Sequence, residues 1–242
     1  MPKLHPLLRV YRFLRGDGSL TAAVVVLVLF IFVLSPLREL NDVGGLAVDL
    51  VFAIFLGLGA WFLYDPRPVM KLFLVFLGAT VILRVADFGV GGLALDLMSA
   101  LFTLIAAFLL GAMFITRALR DGRINMHRIM GAVGAFLLIG VMFSQVFRII
   151  AQLATDAFAV GGAPAPAAVF LPRVNYFSFV TLTSLGYGDI TPLHPFARAL
   201  VTLEALTGQL FLAILVARLV AMELEWRQVQ RELLREDRRK PK

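Results

Sequence analysis

The residues whose types and spacing suit chemistry stand in one run, Thr181-Leu182-Thr183-Ser184-Leu185-Gly186-Tyr187-Gly188-Asp189. The carbonyl oxygens of Ser184, Leu185, Gly186 and Tyr187 could face one side, and the Ser184 hydroxyl could add one more ring of oxygen. Stacked oxygen rings of this kind replace the water shell of a small dehydrated cation. A strand whose successive carbonyls all face one way needs backbone angles that most residues resist and glycine adopts. Leu185 and Tyr187 would then turn their side chains backwards and hold the strand open. Asp189 would sit at the mouth and raise the local cation concentration.

Such a strand has to be carried by other elements, and the composition says which kind. The chain has 242 residues, 60% of them hydrophobic and 16% charged. That balance points to a polytopic membrane protein. It holds no cysteine, which excludes a disulfide framework, thiol catalysis and a thiolate metal site. The histidines, His5, His127 and His194, are scattered and suggest no metal cluster. No enzyme constellation is found.

A membrane helix needs about 20 apolar residues. Six stretches qualify: 19–37, 46–64, 69–86, 93–116, 129–150 and 197–222. The first reads as a retained span, because no small-residue cleavage site closes it. The second ends on Asp65-Pro66-Arg67-Pro68, and the third on a turn over 87–92. Between the fifth and sixth lie a loop, Gly161-Gly162-Ala163-Pro164-Ala165-Pro166, and a half-length helix over 173–183 that leads into the Gly-Tyr-Gly run. The expected fold is therefore all-α, with six transmembrane helices and a re-entrant pore helix. Its parts are a tail at 1–17, a four-helix unit at 18–116, a linker at 117–128, a two-helix pore unit at 129–222 and a basic tail at 223–242.

The formal net charge of +7 is distributed as the positive-inside rule predicts, not as a nucleic-acid patch. With the N-terminus inside and six crossings, both termini are cytoplasmic. Only Arg38, Arg84, Arg148, Arg173 and Arg198 then fall near the outer face. The protein is expected in the plasma (inner) membrane, multi-pass, with anionic lipid near its basic inner segments.

The nine-residue run resembles the potassium-channel signature, usually written Thr-x-Thr-Thr-Val-Gly-Tyr-Gly-Asp. Ser184 stands where Thr is usual and Leu185 where Val is usual, so the hydroxyl and the carbonyl are both kept. The resemblance covers roughly residues 129–222 and suits the six-span, single-pore-loop, prokaryotic type. It implies K⁺ ions as the only cofactor, bound by Ser184, Leu185, Gly186 and Tyr187, within a filter running from Thr183 to Gly188. It implies that Tyr176 and Phe177 brace the filter, as an alternative to plain pore-helix packing. It also implies that Gly208 is the bending point of the inner helix. The other reading of Gly208 is a small residue for close helix packing.

One filter strand cannot encircle an ion, and no second filter is found, so a homotetramer is expected. Glu204 is an acid inside the sixth span. Such residues are costly there and usually paired, and Arg148 and Arg198 are the candidate partners. Arg84, Asp49 and Asp96 fall at similar depth and could tie the four-helix unit together. Residues 97–115 carry no basic residue, so the arginine ladder of a voltage sensor is missing. Arg117, Arg120 and Arg123 have the spacing but follow the apolar core, as inner-surface anchors. The expected function is passive, potassium-selective conduction without steep voltage gating. The alternatives are a non-conducting sensor or scaffold on the same fold, and an ion-coupled secondary transporter.

Overall fold

The computed structural model describes residues 18–34, 57, 68–118 and 126–237. The expected span at 46–64 lies outside these residues except for Gly57, as do Asp49, Arg120 and Arg123. Helix α1 is Gly18–Leu29, continued by a π turn over Phe30–Leu34. α2 is Pro68–Val90, α3 is Leu93–Ala118 and α4 is Met126–Leu153. A hairpin of β1 (Phe158–Val160) and β2 (Ala163–Ala165) follows. One turn of helix, α5 (Ala167–Phe170), and a 3₁₀ turn (Leu171–Arg173) lead into α6, Val174–Leu182. β3 is Ile190–Pro192, and α7 runs from Pro195 to Asp237 without a break.

Among the described residues, three helices are long and apolar enough to cross a membrane: Leu93–Ala118, Ile129–Leu153 and Pro195–Arg218. The protein is a mostly helical membrane protein. It is not all-α, because β1, β2 and β3 form one antiparallel sheet in the order β2-β1-β3. Part of the expected loop at 161–166 is a strand. Gly161 and Gly162 take φ of +62° and +85°, angles that close a tight hairpin and that other residues rarely adopt. The expected turn at 87–92 is also shorter than expected. α2 stays helical through Val90, and the chain reverses at Gly91 and Gly92, both with positive φ.

α4 is the central helix, packed against α1, α3, α6 and α7. On α3 the buried residues Ser99, Thr103, Ala106, Leu110 and Phe114 recur every three or four positions, which makes one helical stripe. Small residues on that stripe let α3 and α4 approach closely, as membrane helices require. Leu20, Val24, Phe73, Leu110, Phe114 and Leu138 form the core of this part.

A second core lies behind α6. Phe147, Phe158, Phe170 and Phe177 are fully or nearly fully buried there. The Phe158 and Phe170 rings stack at 4.0 Å, and Phe147 meets Phe177 edge-on at 5.2 Å. Offset and edge-on pairs are the favoured ring geometries. They fix α6 to both the hairpin and α4.

Candidate ion pathway

α6 is only nine residues long, and Ser184 ends it with φ of +56°. The next positive angles are Gly186 at +57° and Gly188 at +79°. Left-handed backbone thus returns at every second residue, with none at Leu185 or Tyr187. The start of this strand is pinned by backbone bonds to Val180. The N–H groups of Leu185 and Gly186 both donate to its carbonyl, at 2.9 and 3.3 Å.

The far end is pinned by the sheet. β3 pairs with β1, with Val160 opposite Ile190 and Phe158 opposite Pro192. The Gly161 N–H donates to the Asp189 carbonyl at 2.8 Å. The Tyr176 hydroxyl donates to the Asp189 carboxylate at 2.8 Å. That bond raises the pKa of the phenol, since it holds the neutral form that does the donating. The sheet and this contact were not foreseen, although Gly-Gly between two short apolar runs is a hairpin signal.

The expected site residues separate into several roles. Residues 183–189 all lie on the surface of the single chain. The Thr183 hydroxyl turns back to the Phe179 carbonyl at 2.7 Å, whereas the Ser184 hydroxyl accepts from Gln209 Nε2 at 3.0 Å. Tyr176 reaches the 183–189 stretch through Asp189. Phe177 instead sits in the aromatic cluster with Phe147, Phe158 and Phe170. The side chains of Leu185 and Tyr187 line a groove of about 330 Å³ with Ile31, Phe32, Tyr176 and Phe179.

Gly208 lies against the end of α6. A Cβ there would stand 2.0 Å from the Leu182 carbonyl oxygen. That close approach gives the glycine a packing reason, and α7 continues helical through it.

Glu204 pairs with neither arginine proposed for it. Its Oε1 lies 2.5 Å from Ser178 Oγ, whose hydroxyl is also 2.7 Å from the Gly140 carbonyl. The hydroxyl holds one hydrogen for two contacts. A proton on the Glu204 carboxyl, or an amide in its place, supplies the second. The three residues link α7, α6 and α4. Arg148 instead joins Arg84 on Asp96: Arg84 Nη1 donates at 2.8 Å, and Arg148 and Gln152 complete the cluster. Arg198 donates through Nε to the Pro192 carbonyl at 3.2 Å. The reason is depth. Glu204 is nine residues into α7, roughly 13 Å along its axis, while Asp96 and Arg148 share the ends of α3 and α4 nearest the sheet.

Residues 171–224 match a family model described as an ion channel. This stretch is similar to an ion channel domain. It contains α6, the strand after it, β3 and most of α7. Over 64 residues the chain is 39% identical to the potassium voltage-gated channel protein shk-1 of Caenorhabditis elegans, covering 26% of this chain and 12% of that protein. Over 46 residues it is 46% identical to the inward rectifier potassium channel Kirbac3.1 of Paramagnetospirillum magnetotacticum, covering 19% of this chain and 16% of that protein. The chain thus spans less than a fifth of either curated relative. No solved structure matches it. These likenesses support a channel and fall outside enzyme families.

Proposed function

We propose that the protein is a K⁺-selective channel subunit working as a homotetramer in the plasma (inner) membrane, with both termini cytoplasmic. The observation that carries this reading is the left-handed backbone at Ser184, Gly186 and Gly188 on an exposed strand. Alternation of that kind turns N–H groups to one side and carbonyls to the other. The N–H side is already occupied, since Leu185 and Gly186 both donate to Val180. The carbonyls of Ser184, Leu185, Gly186 and Tyr187 are left to bind K⁺, within a filter from Thr183 to Gly188, and Asp189 holds the mouth negative.

Fourfold assembly follows from the single strand per chain and agrees with the surface of α7. Only 11% of its membrane-length segment is buried within one chain, and Leu203, Leu206, Leu210 and Ile214 are exposed along it. A match to an ion channel family and short likenesses to two potassium channels point the same way.

The test is flux from liposomes holding the purified chain, followed by bi-ionic recording. K⁺ and Rb⁺ should pass far better than Na⁺ or Li⁺. Replacing Gly186 by Ala should abolish selective flux, since φ of +57° is strained for any residue with a Cβ. Equal Na⁺ and K⁺ permeability would overturn the reading.

A further inference from the structure

We infer that Gln209 is a positioning residue for the innermost oxygen ring, acting through the hydroxyl of Ser184; the inference rests on the pore reading above. The two side chains are 25 positions apart in sequence and come from different elements, yet Gln209 Nε2 lies 3.0 Å from Ser184 Oγ. The other hydroxyl at the end of α6 is committed elsewhere, because Thr183 Oγ1 donates back to the Phe179 carbonyl at 2.7 Å. Ser184 is therefore the side chain free to present oxygen to an ion at this level.

A serine there has an orientation problem. Threonine is stiff about χ1 because its Cβ is branched, and serine is not. Ser184 also sits at φ of +56°, where branching at Cβ is poorly tolerated. The backbone thus favours the smaller side chain, and the smaller side chain needs an external hold. The Gln209 amide supplies it. By donating into one lone pair of Oγ, it fixes the rotamer while leaving a second lone pair for the ion.

The reach of Gln209 depends on its neighbour. Gly208 allows α7 to lie against the Leu182 carbonyl, at a separation no Cβ could share. That contact brings position 209 level with Ser184. The inner helix and the filter are thereby joined by a side-chain bond one residue beyond their closest backbone approach. A displacement of α7 would release the Ser184 hydroxyl.

The test uses the full-length tetramer in planar bilayers, with Ba²⁺ applied from the cytoplasmic side as the probe. Ba²⁺ is close to K⁺ in size and doubly charged, so its block reports the oxygen ring it reaches first. Gln209→Leu should weaken the block roughly tenfold, the scale of one hydrogen bond lost at the site. In a Ser184→Ala background the same change should alter block by less than about twofold, because the group it acts through is gone. Gln209→Met, unbranched and without an amide, should behave as Gln209→Leu does.

Block unchanged by Gln209→Leu, or weakened equally in both backgrounds, would overturn the inference. So would failure of both Gln209 variants to form tetramers in native mass spectrometry, which would assign the residue to assembly. A wild-type protein that carries no Ba²⁺-sensitive K⁺ current would instead sink the pore reading, and this inference with it.

Discussion

The phenol of Tyr176 donates to the carboxylate of Asp189 at 2.8 Å, tying α6 to the far end of the proposed filter. The bond spans 13 positions of sequence, and the Gly161 N–H donating to the Asp189 carbonyl holds the same residue from the sheet side. Removing the hydroxyl leaves the carboxylate in place and the outer mouth less restrained. Tyr176→Phe should keep ion selectivity but shorten open bursts in single-channel recording. The pKa of Tyr176 is raised, so the neutral, donating form is favoured in the folded protein. The bond is fully present below the ordinary phenol value of about 10 and is lost as pH rises through the higher folded value. Wild-type bursts should therefore shorten at strongly alkaline pH, and those of Tyr176→Phe should not respond. Equal burst lengths in the two proteins would remove the role assigned to this contact.

The Asp96 cluster leads to a prediction about stability. One carboxylate receives Arg84, Arg148 and Gln152, from α2 and α4. Asp96→Ala leaves two mostly buried guanidinium groups without their shared anion. Breaking a buried pair in this way costs about 3 kcal/mol. Arg84→Met removes one donor and leaves Arg148 to neutralise the acid, so its cost should be clearly smaller. Thermal unfolding of the detergent-solubilised protein would check the order. Equal melting temperatures for the two variants would show that the cluster is not organised around Asp96.

Glu204 and Ser178 form a pair that should tolerate an amide and resist truncation. Glu204→Gln keeps a donor for Ser178 Oγ while the hydroxyl serves the Gly140 carbonyl, so assembly and flux should persist. Ser178→Ala strands a buried carboxyl and should cost about 1–3 kcal/mol. The double change Ser178→Ala with Glu204→Leu replaces both polar partners by apolar groups, which is often nearly neutral. It should recover much of that loss in tetramer melting. A double variant less stable than either single one would contradict the pairing.

Much of this arrangement was legible in the sequence because its determinants are local. A nine-residue run contains the three left-handed positions Ser184, Gly186 and Gly188, and the half-length apolar segment before it is the nine-residue helix α6. Of the six stretches read as spans, those at 93–116, 129–150 and 197–222 correspond to helices long and apolar enough to cross a membrane. What stayed hidden depends on which faces meet. Arg148 lies near the end of α4 and Glu204 deeper along α7, but the sequence does not say which face of α4 Arg148 occupies, so only the packing of α3 on α4 shows Asp96 as its partner. Gln209 is one polar residue in an apolar helix, and its meaning appears only when α6 folds back to put Ser184 beside it. The sheet was missed because each strand has three residues, two of them Pro-containing, too few for a period to show.

Voltage dependence offers the most direct test of how the proposed four-helix unit works. Moving one charge across the full field yields roughly 2.3 kcal/mol per 100 mV. Four subunits with three such charges each would collect tens of kcal/mol and switch steeply. α3 is the span where those charges would be needed, and between Asp96 in its first turn and Arg117 in its last it carries no ionised residue. Asp96 is held by Arg84 and Arg148, so the N-terminal end of α3 is tied to its neighbours on both sides. Arg117 lies in the last turn of α3, the inner end in the proposed orientation, where the field has already fallen away. Arg120 and Arg123 follow it in sequence and lie outside the described residues. The conductance–voltage curve should therefore be shallow, with any residual slope coming from ions moving within the filter. Neutralising Arg117, Arg120 and Arg123 together should leave that slope nearly unchanged. A steep curve that flattens on the triple change would make these arginines a sensor, and would require α3 to slide against the Asp96 cluster that now fixes it.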